Sequence, residues 1–385
     1  MAKVDADWLT SEATRNVFAL LEKPGHQVFA VGGCVRNALL GVPVKDIDLS
    51  TDARPERVMA LAKSAGLQAV PTGIDHGTVT VLSGGEPYEI TTFRRDVATD
   101  GRRAVVAFSD RIEDDARRRD FTMNALYAGS DGAVHDPLGG LPDLQARRVR
   151  FIEDPVARIR EDYLRSLRYF RFHAWYGDTD EGFDPDAMDA IARNIDGLET
   201  LSKERVGSEV MRLLEADDPA PAIAGMRTTG VLQAILPGAD DSALGPLIDI
   251  EATAGESPDP IRRLAVMGGE DVAEHLRLSR KDAARYLALR DNAGVAAGEV
   301  GYRLGAQDAR DAVLVGAAST GGPFDPSVLA EVDRGAVQTF PVKAADLMPA
   351  LEGRALGEAL ARLEREWIAS GFTMDRDALI ARLKG

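Results

Sequence analysis

Residues 28–51, VFAVGGCVRNALLGVPVKDIDLST, constrain this chain more than any other stretch. The apolar run Val28 to Val31 predicts a buried strand that stops at Gly32-Gly33. Val35, Leu39 and Leu40 then recur at helical spacing, the chain turns at Gly41 to Pro43, and a second strand is expected to carry Asp46 and Asp48. Glycines at a strand-to-helix turn let backbone N–H groups approach an anion closely. Side chains two apart on a strand point the same way, so Asp46 and Asp48 would form a carboxylate pair. A phosphate cradle beside two carboxylates suits a nucleoside triphosphate with Mg²⁺, an ion that takes oxygen ligands from protein and substrate together.

Asp-x-Asp alone decides nothing, because the chain carries it five times, at 5/7, 46/48, 178/180, 184/186 and 375/377. The discriminating pattern is Gly-Gly-x-x-Arg, a short helix, then Asp-x-Asp on an apolar strand. That pattern resembles the signature of the class II tRNA nucleotidyltransferase and bacterial poly(A) polymerase family. The resemblance implies an α+β fold: a polymerase β-like nucleotidyltransferase head, with a small mixed sheet and helices, followed by an all-α neck, body and tail. The expected boundaries are 1–150 for the head, 151–218 for the neck and 219–385 for a tRNA-holding body and tail.

Other stretches extend the likeness. RRDFTMNAL (118–126) is similar to the family's second motif, which implies Arg119 on the triphosphate, Asp120 on the ribose hydroxyls and Asn124 as a brace. Without the family, Arg117 to Asp120 would be an ordinary surface ion cluster. YEITTF (88–93) holds Glu89, which the resemblance makes a third carboxylate beside Asp46 and Asp48. His135-Asp136 alone hints at a metal phosphohydrolase, yet the chain has only five histidines. HDPLGGLPDL is better matched to the third motif, in which Asp136 and Asp143 fix geometry.

RIREDYLRSLRYFRFHAWYG (158–177) is expected to be one helix, with Asp162 and Arg165 three apart on one face. Cytosine and adenine both present an amino group beside a bare ring nitrogen. A carboxylate accepts from the first and a guanidinium donates to the second, whereas uracil and guanine reverse both partners. Mispairing in a dry pocket costs a few kcal/mol, so this pair could select C and A without a template. The bland alternative is an i,i+3 ion pair. EDxxRxxR resembles the family's protein template, and Arg168 and Arg171 are expected to extend it toward phosphates.

The loop 94–112 is expected to be mobile, with a family role in switching from C to A addition; a plain surface hairpin is the alternative. LSKERVGSEVMRLL (201–214) resembles the fifth motif, in a second helix capped by Ser202. Residues 4–22 are expected to be one helix packing Trp8, Val17, Phe18 and Leu21 on the head. Asn37 stands where the family usually has Asp.

Net charge is −16, which argues against general nucleic-acid binding, but residues 1–173 hold 24 basic and 25 acidic residues. Eight arginines against four acids in 145–173 make a local positive footprint, and phosphate contacts need only local charge. One cysteine, Cys34, is expected to fill a tight turn, and fits a cytoplasmic protein without disulfides. No apolar run is long enough to span a membrane.

The implied activity is addition of C, C and A to tRNA 3′ ends from CTP and ATP. Gly32, Gly33, Arg36 and Arg119 would hold the triphosphate, and Asp46 and Asp48 with Glu89 would hold two Mg²⁺. Within the family the rivals are a poly(A) polymerase and an enzyme adding only C or only A. Outside it they are a silent RNA-binding protein and a phosphohydrolase; no separate hydrolase domain is expected.

Overall fold

The computed structural model describes residues 2–100 and 103–383, with the side chains of 96–100 and 103–106 outside the described set. The chain divides into two compact units: residues 1–209 with 221–235, and residues 210–220 with 236–385. The expected head and residues 151–209 of the expected neck fall in one unit, and neck residues 210–218 in the other.

The first unit begins with two short helices, α1 (Asp7–Thr10) and α2 (Glu12–Glu22). The expected single helix over 4–22 is broken at Ser11, whose extended backbone frees its hydroxyl to accept from the Thr14 N–H at 3.2 Å. Residues before α1 are extended, with Lys3 bridged to Ala133. Val17, Phe18 and Leu21 are buried; Trp8 is only half-buried and Leu9 takes the core position.

Around the first motif the expected strand β1 (Val28–Val31) and helix α3 (Gly33–Leu40) are present, the expected second strand β2 (Asp48–Thr51) starts too late to carry Asp46, and α4 (Pro55–Ser64) follows. Next come β3 (Gln68–Gly73), β4 (Thr78–Ser83) and β5 (Glu86–Thr92). These strands, with β8 (Tyr127–Ala128) and β9 (Val134–His135), form a seven-stranded mixed sheet ordered β3-β4-β5-β2-β1-β8-β9. Only β2 and β5 run parallel, and their register sets Asp48 against Glu89. Leu49 and Ile90, one residue on, are fully buried beneath them. A one-residue slip would exchange the buried and open rows, so burial of Leu49 and Ile90 fixes the carboxylate register.

Between β5 and β8 the chain forms the hairpin β6 (Arg94–Asp100) and β7 (Arg103–Phe108), not an irregular loop. Gly101 and Arg102, the centre of the DGRR segment assigned to nucleotide switching, lie outside the described residues. Helix α5 (Ile112–Arg117) and the short α6 (Leu141–Gln145) flank β8 and β9.

The neck starts with α7 (Pro155–Glu161) and α8 (Leu164–Tyr176). Phe121 packs on Phe172 at 4.8 Å between ring centroids, and Phe151 stacks on Tyr169 at 5.5 Å. These rings fasten α8 to the second motif and carry Arg168, one turn before Phe172, to Asp120. Helices α9 (Pro185–Ala192) and α10 (Lys203–Leu214) follow, Val206 of the latter donating to the Ser202 carbonyl. The first unit also takes in most of α11 (Ala220–Thr228) and α12 (Val231–Ile235).

The second unit is helical, as expected for the body and tail. It holds α13 (Leu244–Ala254), α14 (Pro260–Met267), α15 (Val272–His275), α16 (Arg280–Asn292), α17 (Ala297–Leu304) and α18 (Ala306–Thr320). It ends with α19 (Val328–Ala336), α20 (Ala344–Leu347), α21 (Gly353–Ala369) and α22 (Arg376–Ala381). Interruptions fall at Pro237-Gly238, 257–258, 321–323 and Pro341, where Pro and Gly end helices. Trp367 and Leu363 centre the C-terminal core cluster.

Candidate active site

Gly32 has φ +71° and ψ −120°, a conformation that a side chain would strain. A Cβ there would stand 3.4 Å from Arg119 Nη1 and 3.5 Å from Asn124 Oδ1. The missing side chain therefore brings two residues of the second motif against the turn of the first. Gly33 opens α3 beside Arg36. Cys34 is buried, donates weakly to the Val31 carbonyl, and burial followed by the charge of Asp48 pushes its thiol up to about 11. It fills the turn and is not a nucleophile at neutral pH.

Asp48 begins β2, whereas Asp46 lies before the strand and is exposed; the two do not share a strand as expected. Pairing on β2 starts at Asp48 because its partner β5 meets it at Glu89. Although Asp48 still presents surface to solvent, the surrounding protein thins its water and Glu89 repels it. With a smaller push from Asp46, these outweigh Arg119 and raise its carboxyl above the ordinary range. Like-charged oxygen donors gathered at a strand end fit a hard divalent cation. Among the described residues, however, no three His, Cys, Asp or Glu side chains converge into a metal-binding group, so the carboxylates are near neighbours rather than a closed cage.

Arg119 is fixed by Asp115, which is fully buried and also takes Arg118 and the Tyr127 hydroxyl. Burial pushes Asp115 up, but Arg118 and Arg119 outweigh it and hold the carboxyl well below the usual range. Ser50 on β2 completes the hold on Arg119, at 3.4 Å. Arg36 differs from the expectation that it grips a triphosphate. It is 6 % exposed and donates to Asn37 Oδ1 (2.9 Å), Asn124 Oδ1 (2.9 Å) and the Tyr176 hydroxyl (2.8 Å), with that ring 3.9 Å below. Its partners are all neutral, and burial lowers its pKa. The amide of Asn37 keeps a hydrogen bond to Arg36 and donates to the Pro43 carbonyl at 3.0 Å.

Asp120 is also turned inward. Oδ1 accepts from the Phe121 N–H and from Asn124, and Oδ2 from Arg168 at 2.7 and 2.5 Å. Burial works against the charge, but Arg168 and the Asn124 bond prevail and hold the carboxyl below the usual range. Both oxygens are engaged within the protein, so Asp120 anchors α8 in this structure. Arg168 and Arg171 likewise do not run free toward phosphates: Arg171 pairs with Glu209 at 2.6 Å, and Arg168 with Asp120 at 2.5 Å and more loosely with Glu209 at 3.6 Å.

The expected continuous helix breaks at Asp162, which has extended φ −154° and ψ 105°. Its Oδ1 accepts from the Leu164 N–H, a local bond that competes with helix continuation. Tyr163 packs so closely on Gly197 that a Cβ there would lie 1.9 Å from its ring, pinning the break. Asp162 and Arg165 therefore share no helix face and do not pair. Arg205 holds Asp162 at 2.6 Å; Glu161 holds Arg165 at 2.7 Å, with the Arg118 carbonyl at 2.8 Å. Asp162 adds a small part to the field that raises Arg168, and Arg165 a small part to the field that lowers Asp120.

Two family models match the chain: a poly A polymerase head domain over residues 28–150, and a probable RNA and SrmB-binding site of polymerase A over 182–242. The human mitochondrial CCA tRNA nucleotidyltransferase 1 is 31% identical, across 98% of this chain and 91% of its own. The CCA-adding enzyme of Limosilactobacillus fermentum is 31% identical, across 96% and 95%. This chain belongs to the CCA-adding tRNA nucleotidyltransferase family. A solved CCA-adding enzyme of Bacillus stearothermophilus, in complex with CTP, superposes with a TM-score of 0.75 at 25% identity, covering 97% of each chain.

CCA-adding enzymes work with a divalent metal ion, and the oxygen donors at Asp46, Asp48 and Glu89 suit one. The His135-Asp136 dipeptide is spent on structure. Asp136 accepts from the backbone N–H groups of Gly140 and Leu141, and His135 packs edgewise on Phe29. Asp143 takes Thr122 and Arg150, so both aspartates fix geometry. Sequence inspection missed Asp115, Glu161, Tyr176, Arg205 and Glu209, the residues that hold the others in place. Glu161 and Asp115 stand three or four residues from the arginines they hold; Arg205 and Glu209 lie in the stretch that resembles the fifth motif, and Tyr176 at the end of 158–177, but nothing in those stretches names their partners.

Proposed function

We propose that the protein adds C, C and A to the 3′ end of tRNA from CTP and ATP, without a nucleic-acid template, in a cytoplasmic compartment. The supporting observation is the Asp48–Glu89 register beside the Gly32 turn and Arg119, in a chain alike along nearly its whole length to CCA tRNA nucleotidyltransferases. Asp46, Asp48 and Glu89 would hold Mg²⁺, which when bound supplies Lewis-acid activation of the RNA 3′-hydroxyl and charge relief on the departing pyrophosphate. The 3′-oxygen forms a bond to the α-phosphorus, its proton leaves, and the bond from that phosphorus to the β-phosphate bridge breaks.

This chain's residues do the holding. The Gly32–Gly33 turn presents backbone N–H groups and Arg119 a fixed guanidinium to the triphosphate. Asp162 accepts from the amino group of C or A while Arg165 donates to the adjoining ring nitrogen. Arg205 and Glu161 set the two side chains, and the Arg36–Asn124–Asp120–Arg168 chain ties the turn to the selecting segment.

The test uses tRNA transcripts ending before CCA, with CTP, ATP or both, resolved on a sequencing gel. Three added nucleotides are expected; a ladder of A residues would establish the poly(A) alternative, and C-only or A-only products the partial enzymes. Asp48→Ala should lower kcat about 1,000-fold, the several kcal/mol that metal charge stabilisation supplies. A variant that retains incorporation overturns the carboxylate assignment.

A further inference from the structure

Beside the nucleotide site lies a pocket of about 140 Å³ lined by Arg95, Arg117, Arg118 and Arg158 with Asp114 and Glu161. We infer that it binds one phosphodiester of the RNA strand whose 3′ end is extended. This rests on the proposed nucleotide addition.

Charge accounting comes first. Asp115 is shared between Arg118 and Arg119, and Glu161 between Arg158 and Arg165. With Arg95, Arg117, Asp114 and Glu153 included, six guanidiniums face four carboxylates in and directly behind the walls. Two positive charges are left over. The Arg117–Glu153 contact is long, 3.4 Å, and both side chains are more than half exposed, so it neutralises little.

Unspent donors point the same way. Arg158 Nε is buried without an acceptor among the described residues, a group that natural proteins rarely strand. Arg118 uses Nε and Nη2 on Asp115 and keeps Nη1 in reserve. Guanidinium donors in a fan are the usual counterpart of phosphate oxygens.

A surplus of two charges beside two lining carboxylates suits a single phosphodiester charge better than a triphosphate, which those carboxylates would repel. Position agrees. Arg118 adjoins Arg119 and Glu161 adjoins Asp162, so the pocket flanks the nucleotide-holding and base-selecting residues without containing them. A growing strand must leave a backbone phosphate next to that place.

The test is the full-length double variant Arg95→Ala/Arg117→Ala, whose residues are exposed. Affinity for a tRNA transcript ending before CCA is measured between about 50 and 200 mM salt, where phosphate contacts dominate. The expected result is about 5- to 10-fold weaker binding and a log–log salt slope shallower by about one. KM for CTP and ATP and the melting temperature should not move, and Arg95→Lys/Arg117→Lys should recover most of the affinity. Unchanged tRNA affinity and slope overturn the inference. So does a raised KM for CTP and ATP with tRNA affinity intact, which would assign the pocket to the triphosphate. If the wild-type protein binds the transcript but adds nothing, nucleotide addition fails, and the salt slope still decides the pocket.

Discussion

Each unit of the molecule contains a buried cluster of arginines and carboxylates, and they are finished differently. In the second unit Arg262 and Arg263 are 1 % exposed. Arg262 donates to Glu251, Asp311 and the Ser257 carbonyl; Arg263 donates to Glu251 and to the carbonyls of Leu214, Ala216 and Asp217. Every nitrogen of Arg262 has an acceptor, and the cluster closes on itself. In the first unit the same kinds of group run in an open chain. Tyr176, Arg36, Asn124, Asp120, Arg168 and Glu209 pass contacts from the Gly32 turn to the neck, and neighbouring Arg158 keeps an unspent donor. A closed ion cluster holds architecture; an open one leaves donors for a ligand.

The sharpest way to break this contrast is to open the closed cluster. Arg262→Met leaves buried Glu251 and Asp311 each one cation short. Burial already pushes Asp311 up against the pull of Arg262 and Arg285. Urea unfolding should show a loss of about 3 kcal/mol, the cost of unpairing buried ions, with nucleotide addition per folded molecule unchanged. A drop in kcat without lost stability would erase the distinction.

The open chain should answer to acid as well as to substitution. Asp120 is held below its ordinary pKa, so its stabilising contribution is complete above the unfolded value near ~4 and disappears as pH falls through the lower folded value. Asp120→Asn should therefore cost about 2 kcal/mol near neutral pH, the scale of a charged hydrogen bond. The gap to wild type should stay level down to about pH 5 and narrow below about pH 4. A gap that widens in acid would refute the assignment of Asp120 as an ionised anchor.

The smallest effect is expected at Arg205, which holds only one side chain. Arg205→Ala should lower kcat/KM for CTP and ATP about tenfold, the lower end of what one charged hydrogen bond contributes. UTP incorporation should rise relative to CTP, KM for tRNA should not change, and Arg205→Lys should restore part of the selectivity. Equal losses with all four nucleotides would make Arg205 merely structural.

Local pattern made much of the fold legible. The strand, turn, helix and strand of residues 28–51 and the helical second half follow from apolar spacing, Gly and Pro, which act over a few residues. The pairing of Glu89 with the first motif came from family likeness, because nothing in YEITTF says which strand it joins. The break at Asp162 was hidden because the same letters satisfy a helical pattern; a side-chain bond to Leu164 and a ring pressed on Gly197 override it. Arg36 and Tyr176 meet across 140 residues of sequence, and Asp162 and Arg205 across 43, so no spacing rule could pair them.

From its letters alone, the chain declares a turn for phosphate, acidic residues for a cation and an RNA-extending family, because motif chemistry is carried by residue type and short spacing. Only the folded molecule decides which charges face a ligand and which are spent on each other. Asp120, Arg36, Arg168 and Arg171 turn inward for that reason: a buried charge must find a partner, and partners are chosen by packing across the fold.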